Sequence, residues 1–148
     1  MALEQSFVGR EYPVTEVYEV GREKIREFAD AVGAGHPAHR DAGAARELGH
    51  PDVFAPPTFP IVITLKASAQ IVQDPLLGID YSRVVHGDQR FVYTRPVYAG
   101  DRLRCVCVIE DINSRAGNDF LTTRYEVSTD AGEPVVTVWS KLVVRGES

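Results

Sequence analysis

Apolar residues change their spacing along this 148-residue chain, and the change divides it into a helical first half and a sheet-forming second half. Val14 to Val20 reads as a strand, after which Ile25, Phe28, Ala29 and Val32 recur at i, i+3, i+4 and i+7. That spacing predicts a one-sided helix, which stops at Gly33. Asp41 is placed to cap a second short helix through Leu48, with Ala44, Ala45 and Leu48 on one side and Gly49 as its stop. Next, Pro56-Pro57-Thr58 introduces Phe59 to Val72, a segment apolar nearly all round with the small residues Ala67, Ser68 and Ala69. It predicts a helix buried inside the fold, with Pro57 and Thr58 at its start.

Four β-like runs follow, approximately Val84 to Tyr93, Arg102 to Asp111, Phe120 to Ser128 and Pro134 to Val144. Alternation is clearest at Leu103, Cys105, Cys107 and Ile109, and again at Val136, Val138, Leu142 and Val144. Short Gly-containing connections between the runs favour antiparallel pairing. One strand, a buried helix and an antiparallel meander make an α+β plan, and a sheet wrapped around one apolar helix is the hot-dog arrangement. With no internal repeat or linker, residues 1–148 are expected to form one such domain. A sheet covered on one face leaves its edges and outer side for a second subunit, so a dimer is expected.

Composition narrows the chemistry. The chain is 44% hydrophobic and 25% charged with a net charge of −5, which gives no electrostatic bias toward nucleic acid or anionic lipid. No apolar run approaches the roughly 20 residues that span a bilayer, and Met-Ala-Leu-Glu-Gln-Ser lacks the parts of a signal peptide, so a cytoplasmic location and no membrane partner are expected. Cys105 and Cys107 lie two apart in a strand, where their side chains point the same way and do not readily bridge. They read as core thiols.

The candidate chemistry lies in Gly33-Ala34-Gly35-His36-Pro37-Ala38-His39-Arg40-Asp41, a Gly-rich, Pro-containing turn with two histidines between two helices. A histidine there can be a general base, a metal ligand, a structural hydrogen-bonding residue or a solvated loop residue. His36 and His39 lack the third and fourth converging ligands that a metal site needs, and no phosphate loop or nucleophile elbow occurs, so neither a metal nor a cofactor is expected. His86 sits beside Gly87 in a strand, where the missing side chain lets a backbone or ligand approach closely. Arg90, Arg95 and Arg102 suit either carrier phosphates or a solvated strand face, and Trp139, Tyr93, Tyr98 and Tyr125 read as sheet packing or dimer contacts.

The run Phe28 to Asp41, with Ala44 and Gly49 following, resembles the signature of the MaoC-like (R)-specific enoyl-thioester hydratases and dehydratases. In that family the turn reads Gly-Asp-x-Asn-Pro-aliphatic-His, and here Gly33, Ala34, Gly35, His36, Pro37, Ala38 and His39 occupy those places. Val85-His86-Gly87-Asp88-Gln89-Arg90-Phe91 and Arg95-Pro96-Val97-Tyr98-Ala99-Gly100-Asp101 are similar to a strand and turn of the same proteins. The segment Ala55-Pro56-Pro57-Thr58-Phe59 is closest to the N-terminal-type domain in the small subunits of mycobacterial-type (3R)-hydroxyacyl-carrier-protein dehydratases. The resemblance covers nearly the whole chain.

It implies an Asp and His pair handling water and proton, with a backbone N–H at the start of the buried helix polarising a thioester carbonyl. By carry-over His39 is the histidine of that pair, but the aspartate position is Ala34, and the oxyanion position falls at Pro57, which has no N–H. Thr58 N–H would replace it only for a shifted carbonyl. The resemblance therefore implies the acyl-binding, non-catalytic half of an acyl-CoA or acyl-carrier-protein dehydratase, with Ala34, His36, Pro57, Thr58, His86 and Gly87 lining the substrate site and His39 as a residual catalytic group. A separate hot-dog chain would carry the intact pair, and the second hot-dog subunit of the expected dimer is either such a chain (a heterodimer) or another copy of this one (a homodimer). Two alternatives stand beside it: a self-sufficient homodimeric hydratase in which Asp30 or Asp41 replaces the missing carboxylate, and an acyl-thioester-binding scaffold without chemistry.

Overall fold

The alternating second half of the chain folds into one antiparallel sheet, and the computed structural model describes residues 2–147 of it and what surrounds it. Strands β1 (Tyr18–Glu19), β2 (Val84–Tyr93), β3 (Arg102–Arg115), β4 (Asn118–Thr129) and β5 (Pro134–Val144) lie in the order β1-β3-β4-β5-β2. Strands β3 and β4 run further than the alternation predicts because only Ala116 and Gly117 separate them, both at positive φ (52° and 79°). A two-residue turn with both centres left-handed matches the twist of the strands it joins.

The alternation has its expected cause. Leu103, Cys105, Cys107 and Ile109 are all fully buried, and Leu121, Thr123, Tyr125 and Val127 of β4 face the same core. Both thiols are free, and burial pushes the Cys107 thiol up to about 11 and the Cys105 thiol higher still. They pack as small apolar groups.

Helices α1 (Arg22–Ala31), α2 (Ala42–Glu47) and α3 (Ile61–Val72) precede the main strands. Helix α3 lays Ile63, Thr64, Ala67 and Ile71 on the sheet. Two expectations about it fail. It begins at Ile61 rather than at Pro57 to Phe59, because Pro60 has no N–H for an interior helical bond and serves as the N-cap, while residues 57–60 form tight turns with Phe59 buried. Nor is it buried all round. Leu65 is 61% exposed and Lys66 is exposed, because one sheet covers one helix face and leaves the other open.

Three end positions also differ. Val32 and Leu48 are the C-caps of α1 and α2, past the last helical turn, and are exposed. The predicted strand from Val14 shrinks to Tyr18–Glu19 because the residues before it touch β3 only intermittently. Tyr12 N–H donates to Cys107 O, Thr15 N–H to Cys105 O, and the Thr15 hydroxyl accepts from Cys105 N–H. A side chain thus takes a place that a ladder carbonyl would hold. Among the described residues no helix is long and apolar enough to cross a membrane.

Candidate functional site

The conspicuous turn is built by the end of α1. Gly33, at φ +73°, follows the C-cap; its N–H donates to Asp30 O and that of Ala34 to Ala29 O at 2.8 Å. This paired closure uses up the last carbonyls of the helix and requires a left-handed residue at Gly33. His36 then caps a single 3₁₀ turn, Pro37–His39, its Nδ1 accepting from Ala38 N–H at 3.1 Å. Asp41 caps α2 by accepting from Ala44 N–H at 2.9 Å.

His39 is 7% exposed, and its Nδ1 lies 2.6 Å from the carbonyl oxygen of Phe54. A carbonyl only accepts, so Nδ1 carries a proton and donates this bond. The imidazole edge meets the Phe54 ring at a centroid distance of 4.8 Å. The His50 ring lies 4.5 Å from that of Phe54, with its own Nδ1 2.9 Å from the Tyr98 hydroxyl.

Arg40 holds the turn together. Its guanidinium donates to Ala34 O at 2.7 Å, to His36 O at 3.3 Å and to Asp30 Oδ1 at 2.5 Å. Asp30 and Asp41, the two carboxylates considered as replacements at the Ala34 place, are thus occupied by an arginine and by a helix cap.

Pro57 lines a cavity together with Phe54. Its carbonyl accepts from the Tyr93 hydroxyl at 2.5 Å, and burial raises the Tyr93 phenol well above its ordinary range. The cavity, of about 360 Å³, is walled by Phe54, Ala55, Pro57, Tyr93, Thr94 and Arg95. Phe54 therefore joins the two halves of the predicted site: its carbonyl holds His39 and the residue lines the cavity beside Pro57. Thr58 is exposed next to it and His36 and Ala34 stay in the turn.

His86 and Gly87 are elsewhere. His86 lines a seam between α3 and the sheet, where a groove of about 730 Å³ is walled by Leu65, Ala69 and Val72 on one side and Val84, His86 and Leu142 on the other. Gly87 is the extra residue of a bulge: His86 pairs with Leu142 and Asp88 with the adjacent Lys141. A Cβ on Gly87 would stand 3.1 Å from Val143 Cγ2 and 3.3 Å from Lys141 O, so its bare Cα answers a close backbone approach. Among the described residues no group of three or more His, Cys, Asp or Glu side chains gathers as a metal site would require.

Sequence reasoning missed Phe54, Arg40 and Gln89. Phe54 acts through a backbone carbonyl, which leaves no mark in composition. Arg40 had a legible signal, since it lies beside His39 and within one turn of the Gly-rich segment.

A curled antiparallel sheet carrying one central helix is the hot-dog fold. Residues 6–138 match the model of the FAS1-like dehydratase domain region. The UPF0336 protein of Streptomyces coelicolor is 66% identical over 145 residues, covering 98% of this chain and 97% of that protein. Among solved structures, the HadBC (3R-hydroxyacyl-ACP dehydratase) complex of Mycobacterium tuberculosis has a chain similar at TM-score 0.83 and 35% identity over 93% of this chain and 96% of its own length. A MaoC-like dehydratase is similar at TM-score 0.88 and 34% identity over 95% of this chain and 43% of that one. The protein belongs to the family of FAS1-like dehydratase regions and shares its architecture with MaoC-like dehydratases.

Proposed function

We propose that this chain is the acyl-binding, non-catalytic half of a (3R)-hydroxyacyl-thioester dehydratase. Its substrate is an acyl group carried on coenzyme A or acyl-carrier protein, and a second hot-dog subunit supplies the Asp and His that move the proton. The observation that carries this reading is the occupation of the turn: Arg40 takes Asp30, the N-terminus of α2 takes Asp41, and His39 Nδ1 holds Phe54 O. Removal of a proton α to a thioester needs a positioned base and a donor for the developing oxyanion. Ala34 offers no base, and Pro57 no N–H.

Two further features support a partner. Strand β2 is ten residues long at the edge of the sheet, with Val85 and Val92 exposed, and an unpaired edge of that length suits a strand or helix of another subunit. The similar M. tuberculosis protein is described as a complex of dehydratase subunits. Ala34, His36, Pro57, Thr58, His86 and Gly87 are then wall positions of the acyl-thioester site, with no metal or cofactor in the chemistry.

The test is an assay of the purified chain on crotonyl and longer enoyl thioesters, alone and mixed with a hot-dog chain from the same genome that carries Gly-Asp-x-Asn-Pro-x-His intact. Near-background rates alone and a gain on mixing are expected. Rapid turnover by the chain alone, abolished in His39→Ala, would establish the self-sufficient enzyme instead. Binding of thioesters with no gain from any partner would establish the scaffold.

A further inference from the structure

The bulge at Gly87 changes which side chains of β2 face α3. With one residue left out of the pairing, His86 and Gln89, three apart, come to the same face, and His86 Nε2 lies 2.9 Å from Gln89 Oε1. The other end of the amide is the anomaly. Gln89 Nε2 is enclosed from solvent and has no hydrogen-bond partner. It is also the only such side-chain atom among the described residues. A buried amide donor without an acceptor is costly, and native structures rarely retain one without a use.

Gln89 stands on the wall of a small chamber of about 50 Å³ at the inner end of the α3 and β2 seam. The chamber shares Leu65, Ser68, His86 and Leu142 with the larger groove, so the two adjoin. Its other polar side chains are Thr64, Ser68, His86, Tyr125 and Ser140, and the buried Tyr125 and Ser140 hydroxyls lie 3.4 Å apart, longer than the usual O–H···O spacing of about 2.8 Å. Ser68 is a second hydrogen-bonding neighbour of the Tyr125 hydroxyl, so the hydroxyls find partners among themselves and the Gln89 amide is the group left without an acceptor. One water needs roughly 10–15 Å³ of such space, so the chamber has room for more than a single water.

We propose that this chamber recognises an oxygen atom carried partway along the ligand's acyl chain, as a keto or hydroxyl group. The inference rests on the acyl-thioester reading above and names the kind of acyl group selected. The adjoining groove, on the side of the chamber away from Tyr93, is largely apolar at Leu65, Ala69, Val72 and Leu142, which suits methylenes beyond the oxygen. The chamber itself is polar, with Gln89 Nε2 to donate among the Thr64, Ser68, Tyr125 and Ser140 side chains. Neither Lys nor Arg lines the chamber, which argues for a neutral oxygen over a second carboxylate. A plain alkyl chain would displace any water there and still leave the amide unpaired. Tyr93, at the cavity beside Pro57, is four residues from Gln89 along β2, about 13 Å at strand spacing, which sets the distance between the thioester end and the oxygen.

The experiment is calorimetric titration of the chain with acyl-CoAs of one length: a saturated chain, and isomers in which a single keto group is walked along it. One keto position should bind about 5- to 10-fold tighter than the saturated chain, the range one net hydrogen bond supplies. Gln89→Leu should erase that preference and bind the saturated chain at least as well, and Ser140→Ala should reduce it, with thermal melting showing that both variants fold. Equal binding of all isomers, or a keto preference unchanged in Gln89→Leu, overturns the chamber's role and leaves the acyl-thioester reading standing. If neither the acyl-CoAs nor acyl-carrier-protein thioesters of the same chains bind, the acyl-thioester reading falls and the proposal with it.

Discussion

His39 Nδ1 donates to the carbonyl oxygen of Phe54 across 2.6 Å, so the one histidine in the family's catalytic place serves as a strut between the active-site turn and the cavity wall. The bond fixes the ring, its tautomer and the path of residues 50–55 together. His39→Ala should therefore cost stability, about 1–3 kcal/mol from the carbonyl left without a donor. His39→Gln, which keeps an N–H, should recover part of it. Denaturant unfolding checks both. In the complex with a catalytic partner, the turnover of His39→Ala should fall less than tenfold, well short of the roughly 10²–10⁴ lost with a true acid–base group.

Ala34 and Pro57 make a paired prediction. Ala34→Asp restores a carboxylate and Pro57→Gly restores an N–H, and each alone leaves the other requirement unmet. The double variant, assayed without a partner, should hydrate crotonyl-CoA at least about tenfold faster than the unmodified chain, and each single variant should stay near background. Activity in the unmodified chain equal to that of the double variant would refute the reading of these two positions.

Gly87→Ala should be costly despite the small change. The new methyl would lie 3.1 Å from Val143 Cγ2 and 3.3 Å from the backbone oxygen of Lys141, and backbone does not yield as a side-chain tip does. A loss of about 1–3 kcal/mol is expected, the range for overpacking. Amide exchange should be fastest around His86 and Leu142, where the bulge pairs.

Tyr12 and Asp74 form a pair whose contribution to stability depends on pH at both ends. The Tyr12 hydroxyl donates to Asp74 Oδ2 at 2.8 Å; burial and the carboxylate push the phenol up to about 12, and the Tyr12 bond holds Asp74 below its ordinary value. Asp74 contributes stability that is present above about pH 4 and lost as pH falls through its lowered value. Tyr12 contributes stability that is present below about pH 10 and lost as pH rises toward 12. Tyr12→Phe should lower the urea midpoint most near neutral pH, with the deficit shrinking at both extremes. A deficit independent of pH would show that the pair contributes only packing.

Much of the fold was legible because strand and helix periods differ. Leu103, Cys105, Cys107 and Ile109 announced both their strand and their buried face, and the resemblance of the Gly33 to Asp41 turn pointed to the family that the comparisons support. Helix ends read less well. Val32, Leu48 and Phe59 are apolar at the right spacing, yet a helix ends where its hydrogen bonds run out, at a cap or a proline.

The chain by itself determined the α+β plan, the two thiols in the core and the absence of a carboxylate at Ala34, because side-chain period and residue identity are local properties. Tertiary structure alone decided what His39 holds, where Asp30 and Asp41 are spent, and that Gln89 is left unpaired behind the Gly87 bulge. Each of those depends on a partner far along the chain or on a one-residue slip in strand register, and no local pattern encodes which donor meets which acceptor once the sheet closes on the helix.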